Sequence, residues 1–80
     1  MITVYSKPNC SMCEATKATL TKYALEFTEI NFMADPDALD KVIAMGYQQA
    51  PVVVVEQNGI ETSWSGYEPI KIAQYAMGTR

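Results

Sequence analysis

Residues 51–59 read PVVVVEQNG, and no other stretch restricts the possible fold as much. Four consecutive valines are β-branched and offer no polar face, so a strand over residues 52–56 must be buried on both sides and lie centrally in its sheet. Pro51 stands at its first position, where the ladder needs no donor. Asn58-Gly59 is a two-residue hairpin signal, so residues 60–63 are expected to run back antiparallel.

The rest of the chain supplies layers to cover that strand. Ile2-Thr3-Val4-Tyr5 alternates and is rich in β-formers, a first strand that Lys7-Pro8-Asn9 breaks. Residues 11–23 are good helix formers, with Thr16, Leu20, Tyr23 and Ala24 in a stripe at helical spacing. Residues 26–32 read as a second strand, with Thr28, Ile30 and Phe32 on one face and Phe27, Glu29 and Asn31 on the other. Asp35-Pro36 places a cap and a first-turn proline at the start of a second helix. Leu39, Val42 and Ile43 form its apolar stripe, and Gly46 is its stop. Glu68-Pro69 starts a last helix with Ile70, Ala73 and Met77 on one side. The order is β-α-β-α-β-β-α in a single domain over residues 1–80. The first β-α-β unit is expected to be parallel and right-handed. The closing hairpin then gives an α/β fold with a mixed four-stranded sheet flanked by three helices.

The chain has only two cysteines, and SKPNCSMCEA sets both at the junction of the first strand and first helix. Open α/β sheets place their sites at this carboxyl edge. Two Cα atoms one helical turn apart are roughly 5 Å from each other, within disulfide range, so the pair can open and close with little backbone movement. Cys10 falls at or just before the helix N-cap, where free N–H groups, the helix dipole and Lys7 favour its thiolate. Cys13 lies one turn deeper on the face of Thr16, Leu20 and Ala24. Cys10 is therefore read as the nucleophile and Cys13 as the buried resolving thiol.

Composition narrows the chemistry further. The chain has no histidine, which removes Cys-His proteolysis, imidazole acid–base work and any mixed Cys/His zinc site. A tetrahedral zinc site would need a dimer to complete its four ligands. A structural disulfide across so short a loop would add little loop entropy. The net charge is −3 and the six basic residues are scattered, so nucleic acid is not an expected partner. The longest apolar run is too short to span a bilayer. Met1 leads straight into the first strand with no leader pattern, so a cytoplasmic protein without membrane contact is expected. Thiols are kept reduced in that compartment, which favours a catalytic pair over a staple.

The element order, the C-x-x-C after the first strand and Ala50-Pro51 before the third together resemble the thioredoxin superfamily. Within it the chain is similar to glutaredoxin-like redoxins of the NrdH type, over essentially its whole length. The likeness rests on Thr3-Val4-Tyr5-Ser6-Lys7-Pro8, on Cys10-Ser11-Met12-Cys13 with Ala15-Thr16-Lys17, and on Gly46-Tyr47-Gln48-Gln49-Ala50-Pro51-Val52-Val53. Trp64-Ser65-Gly66-Tyr67-Glu68-Pro69 is its most specific part. The resemblance implies a thioredoxin-like fold, a cis Ala50-Pro51 bond beside the sulfurs, and pairing of an incoming substrate strand with the backbone at Ala50. Lys7, Ser11, Met12, Gln49, Pro51 and the residues Trp64, Ser65, Gly66 and Tyr67 complete the expected partner-binding set.

Glutathione-using glutaredoxins carry a Gly-Gly-x-Asp-type segment where this chain has Trp64-Ser65-Gly66-Tyr67. The resemblance therefore implies recharging by thioredoxin reductase, a flavoenzyme that uses NADPH, with no cofactor or metal bound to the chain itself. It further implies a monomeric electron carrier to the large subunit of class Ib ribonucleotide reductase, in support of deoxynucleotide synthesis. Trp64 and Tyr67 are equally readable as core aromatics between the last strand and last helix. Ser11-Met12 departs from the residues usual between the cysteines in either group. Ser11 brings a hydroxyl near the thiolate, and Met12, exposed at the helix start, offers an adaptable apolar contact. Two other readings stay open: a glutathione-dependent glutaredoxin using Lys7 and the Ala50-Pro51 region, and a non-enzymatic dimer sharing a metal or iron–sulfur centre through Cys10 and Cys13.

Overall fold

Val52, Val53, Val54 and Val55 are all buried, and the molecule is layered around them. A computed structural model describes residues 1–78. Its elements are β1 (Ile2–Ser6), α1 (Ser11–Lys22), β2 (Thr28–Asn31), α2 (Pro36–Ala44), β3 (Val52–Gln57), β4 (Ile60–Ser65) and α3 (Pro69–Gly78). The sheet order is β2-β1-β3-β4, so β3 is central as its valines require, and β1 shares that position. β1 and β2 are parallel, with Val4 opposite Glu29. β3 runs antiparallel to both neighbours, with Val53 between Val4 and Trp64. Asn58 and Gly59 both take positive φ, 54° and 78°, as the tight turn between β3 and β4 demands.

The period of two along each strand divides the core. One face of the sheet carries Ile2, Val4, Val53 and Val55, covered by Leu20 of α1 and Ile72 of α3. The other carries Tyr5, Val52 and Val54, covered by Ala38 and Val42 of α2, with Phe32 beside them. Helices thus cover both faces as expected. No helix among the described residues is long and apolar enough to cross a membrane.

Three helix faces differ from their predicted stripes. Ala24 lies outside α1, exposed and in the left-handed region at φ 58°. It closes the helix: the Leu25 N–H reaches the Leu20 carbonyl and the Ala24 N–H reaches that of Thr21, the two bonds of a Schellman cap. In α2, Ala38 and Val42 face the sheet while Ile43 is 62% exposed. In α3, Ile72 and Ala76 are buried, whereas Ile70 and Met77 are 70% and 76% exposed. Apolar residues occur on every side of α3, so their spacing alone does not select the buried face. The strand ends also shift. β2 is shorter than residues 26–32, although the Phe32 N–H still bonds the Ser6 carbonyl at 3.0 Å. β4 runs on to Ser65, which brings Trp64 into the sheet.

Asp35 caps α2 as its sequence suggests, its Oδ1 accepting from the Ala38 N–H at 3.1 Å. Asp35→Ala should cost about 1 kcal/mol, read as a lower urea midpoint with an unchanged m-value.

A polar strut joins α1 to the sheet edge. Glu29 accepts from Lys17 at 2.9 Å and from the Ser6 hydroxyl at 2.7 Å, and Lys17 also meets Glu14 at 2.7 Å. Hydrogen bonds from Lys17 and then Ser6 hold the Glu29 carboxyl below its ordinary pKa. Glu14 and then Glu29 hold the Lys17 ammonium above its own. The Glu29 contribution to stability is therefore present above the ordinary carboxylate range and lost as pH falls through its lowered folded value. Both side chains keep solvent contact, which limits the effect to about 1 kcal/mol or less. Denaturation of Glu29→Gln against the parent should show a deficit at neutral pH that closes in acid.

Candidate active site

The site begins where β1 runs out. Lys7 and Pro8 leave the sheet, and Asn9 turns the chain in the left-handed region at φ 57°, a conformation asparagine tolerates. Cys10 is then extended and forms the N-cap of α1, with its Sγ accepting the Cys13 N–H at 3.1 Å. This N–H is one of the four that a helix start leaves without an intrahelical partner. Here it is aimed at sulfur, together with the positive end of the helix dipole.

Cys10 and Cys13 are joined as a disulfide, their Cα atoms 5.2 Å apart. The pair is asymmetric in the expected sense. Cys13 is fully buried among Tyr5, Val52 and their neighbours, while Cys10 is half-buried at the rim of that cluster.

Ala50-Pro51 is cis, and both residues are buried. The Pro51 carbonyl accepts the Gly66 N–H at 2.8 Å, which ties the start of β3 to the end of β4. Gly66 has φ 79°, and a Cβ there would lie 3.1 Å from Gln49 Oε1. The other end of that amide, Nε2, donates to Met12 Sδ at 3.8 Å. The Gln49 side chain thus connects the loop before the proline to the helix start. Lys7, Cys10, Ser11, Met12, Gln49 and Ala50 line one groove of about 290 Å³. An adjoining hollow of about 240 Å³ shares Lys7, Gln49 and Ala50 and has an apolar wall from Phe32, Leu39 and Ile43. A larger hollow of about 550 Å³, between Met1 and Phe27, lies at the opposite end of β1 from the sulfurs.

The structure therefore gathers Lys7, Cys10, Ser11, Met12, Gln49 and Ala50 at one groove, with Pro51 and Cys13 buried close behind. Met12 is half-buried rather than solvent-facing, because the Gln49 amide lies against its sulfur. The Trp64–Tyr67 segment divides. Trp64 packs against the core beneath α1 and α3. Ser65 ends β4 opposite Val52. Only Gly66 approaches the groove, through Gln49. Tyr67 is not a core aromatic: it is 37% exposed, and its hydroxyl shares a 2.8 Å hydrogen bond with Thr19 on α1. Asn9 and Gln48 also line the groove, and Tyr47 anchors the loop before the proline through a 2.7 Å bond to Ser63. None of these is in the partner-binding set expected from sequence, although Tyr47 and Gln48 lie in the string that carries the resemblance and Asn9 stands just before the helix cap.

A disulfide at a helix N-cap, set beside a cis-proline at the start of a central strand, defines a thiol–disulfide oxidoreductase of thioredoxin-like fold. Residues 2–60 match the Glutaredoxin family. The chain is 38% identical over 76 residues to the glutaredoxin-like protein NrdH of Lactococcus lactis, covering 95% of this chain and all of that one. Identity to the NrdH protein of Salmonella typhimurium is 40% over 68 residues, 85% of this chain and 79% of the relative. The backbone matches that of the NrdH-redoxin from Escherichia coli, a protein with a thioredoxin-like activity profile, at a TM-score of 0.81 and 34% identity over 91% of each chain. The chain belongs to the glutaredoxin family as an NrdH-type glutaredoxin-like redoxin, and Cys10–Cys13 is its redox pair.

Proposed function

We propose that the protein reduces protein disulfides as a monomeric dithiol carrier in the cytoplasm, that thioredoxin reductase recharges it, and that its substrate is the large subunit of class Ib ribonucleotide reductase. The Cys10 thiolate attacks one sulfur of the substrate disulfide, and the other substrate sulfur leaves as a thiolate. Cys13, deprotonated to solvent, then attacks Cys10 Sγ and releases the second substrate thiolate. Two electrons pass to the substrate, and the protein is left as the Cys10–Cys13 disulfide. The Cys13 N–H and the helix dipole favour negative charge on Cys10 at the start of the cycle. Cys13 is buried beside Cys10, so Cys10 Sγ is the sulfur it attacks.

The groove suits an extended peptide. Backbone at Ala50 would pair with the substrate strand, with Met12 and Gln49 as one wall and Lys7 and Ser11 at the mouth. One observation carries the choice of reductant: two polar groups of the Trp64–Tyr67 segment are committed internally. The Gly66 N–H is bonded to Pro51 and the Tyr67 hydroxyl to Thr19. A tripeptide carboxylate would find neither group free there. The thioredoxin-like profile of the Escherichia coli relative and the NrdH name of the curated relatives support the same reading. No cofactor binds the chain in this scheme; NADPH electrons arrive only through the reductase flavin.

Oxidised protein should be offered NADPH with thioredoxin reductase, and separately glutathione with glutathione reductase. Rapid NADPH consumption in the first mixture, coupled to deoxynucleotide formation when the reductase large subunit is added, is the expected result. Turnover confined to the glutathione mixture would overturn it.

A further inference from the structure

Among the described residues, two buried side-chain polar atoms have no hydrogen-bond partner, Thr16 Oγ1 and Trp64 Nε1. Trp64 Nε1 can only donate, and its ring packs in the core beneath α1 and α3. Thr16 is placed differently. It is fully buried, and it stands one helical turn beyond Cys13 on the same inward face of α1. Residues three apart on a helix have Cβ atoms roughly 5–6 Å from each other, so their side chains are neighbours. A buried hydroxyl without a partner is destabilising, and valine would fill the same volume without that penalty. Thr16 is also a poorer helix former than alanine at that position. Neither packing nor helix propensity accounts for a hydroxyl here.

With the disulfide closed, Cys13 sulfur is neutral and bonded to Cys10. To resolve the mixed disulfide, the same sulfur must give up its proton and carry negative charge in a cluster made of Tyr5, Val52 and other apolar groups. A thiolate in such surroundings needs a donor. We infer that Thr16 is a positioning residue for the resolving thiol: its hydroxyl, idle in the disulfide state, donates to Cys13 Sγ in the dithiol state and holds the thiolate that attacks the mixed disulfide. The proton lost by Cys13 goes to solvent, and Thr16 keeps its own. Because the bond exists in one redox state only, it also favours the dithiol over the disulfide. The inference rests on Cys13 being the resolving thiol, as proposed above.

The two steps can be read apart with an aromatic disulfide that releases a coloured thiolate. Reduced protein and Ellman's reagent release one thiolate when Cys10 attacks and a second when Cys13 closes the disulfide. Thr16→Val should leave the first phase unchanged, slow the second about tenfold at neutral pH and raise its pH midpoint by about one unit. The dithiol–disulfide equilibrium should move about tenfold toward the disulfide, a potential about 30 mV lower. Thr16→Ser, which keeps the hydroxyl, should restore the second phase and its midpoint. An unchanged second phase in Thr16→Val, equal slowing of both phases, or failure of serine to restore the midpoint would overturn the role. Trapping of substrate on Cys10 in Cys13→Ser tests the resolving assignment independently, so loss of that assignment is distinguishable from loss of the Thr16 role.

Discussion

Cys13→Ser should convert a catalyst into a trap. The Cys10 thiolate still attacks the substrate disulfide, but the mixed disulfide then has no neighbouring thiol to open it. Well-oriented intramolecular groups act at very high effective concentration, so against millimolar external thiol the adduct should persist at least about 10³-fold longer. Mass spectrometry of the unreduced complex should place the bond on Cys10. Cys10→Ser should form no adduct and lose turnover altogether, since Cys13 is fully buried and presents no sulfur to a partner. An adduct that accumulates through Cys13 in Cys10→Ser would reverse the two roles. Serine at position 13 buries a hydroxyl in an apolar cluster, so Cys13→Ala is the parallel variant that keeps the test independent of any loss of stability.

Leu20→Ala should give the largest loss of stability. Leu20 is 1% exposed and packs from α1 onto Val4, Val53 and Ile72. Removing a side chain of this kind from a core costs about 2–5 kcal/mol, the transfer energy plus the cavity left behind. In a domain of this size that corresponds to a fall of roughly 10–30 °C in Tm. Met77→Ala serves as the contrast. The predicted stripe of the last helix includes Met77, but the folded chain leaves it 76% exposed. Its replacement should stay within about 0.5 kcal/mol of the parent. A large loss at Met77 with little at Leu20 would contradict the packing described above.

The element order was legible because its signals are local. Valines without a polar partner, a proline at a helix start and Asn58-Gly59 each act through their own backbone or next neighbours. The dithiol was legible for the same reason, since one helical turn sets both the spacing of Cys10 and Cys13 and the difference in their depth. The buried faces of α2 and α3 were less so. Apolar residues surround α3, and the apolar stripe of α2 is wide enough to leave Ile43 outside, so which ones reach the sheet depends on how each helix rolls onto it. The groove was only partly legible. Lys7, Ser11 and Met12 adjoin the cysteines in sequence, whereas Gln49 and Ala50 reach them only through the return of the chain into β3.

Trp64-Ser65-Gly66-Tyr67 shows the division most clearly. The string carries part of the resemblance read from sequence, yet its residues do four different things: one packs on the core, one ends a strand, one makes room for the Gln49 amide, and one ties the loop after β4 to α1. No local rule separates these, because each depends on a partner 11 to 48 residues away, as Trp64 does on Val53, Gly66 on Pro51 and Tyr67 on Thr19. By itself the sequence determined the class of fold, the redox pair and the difference in depth between its two sulfurs, all consequences of short-range geometry. Only the tertiary structure decided which residues gather at the groove, that Met12 is held by Gln49, and that Thr16 lies unpaired one turn beyond Cys13. Those follow from close packing between distant segments, where a side chain's surroundings are set by whatever the fold lays against it.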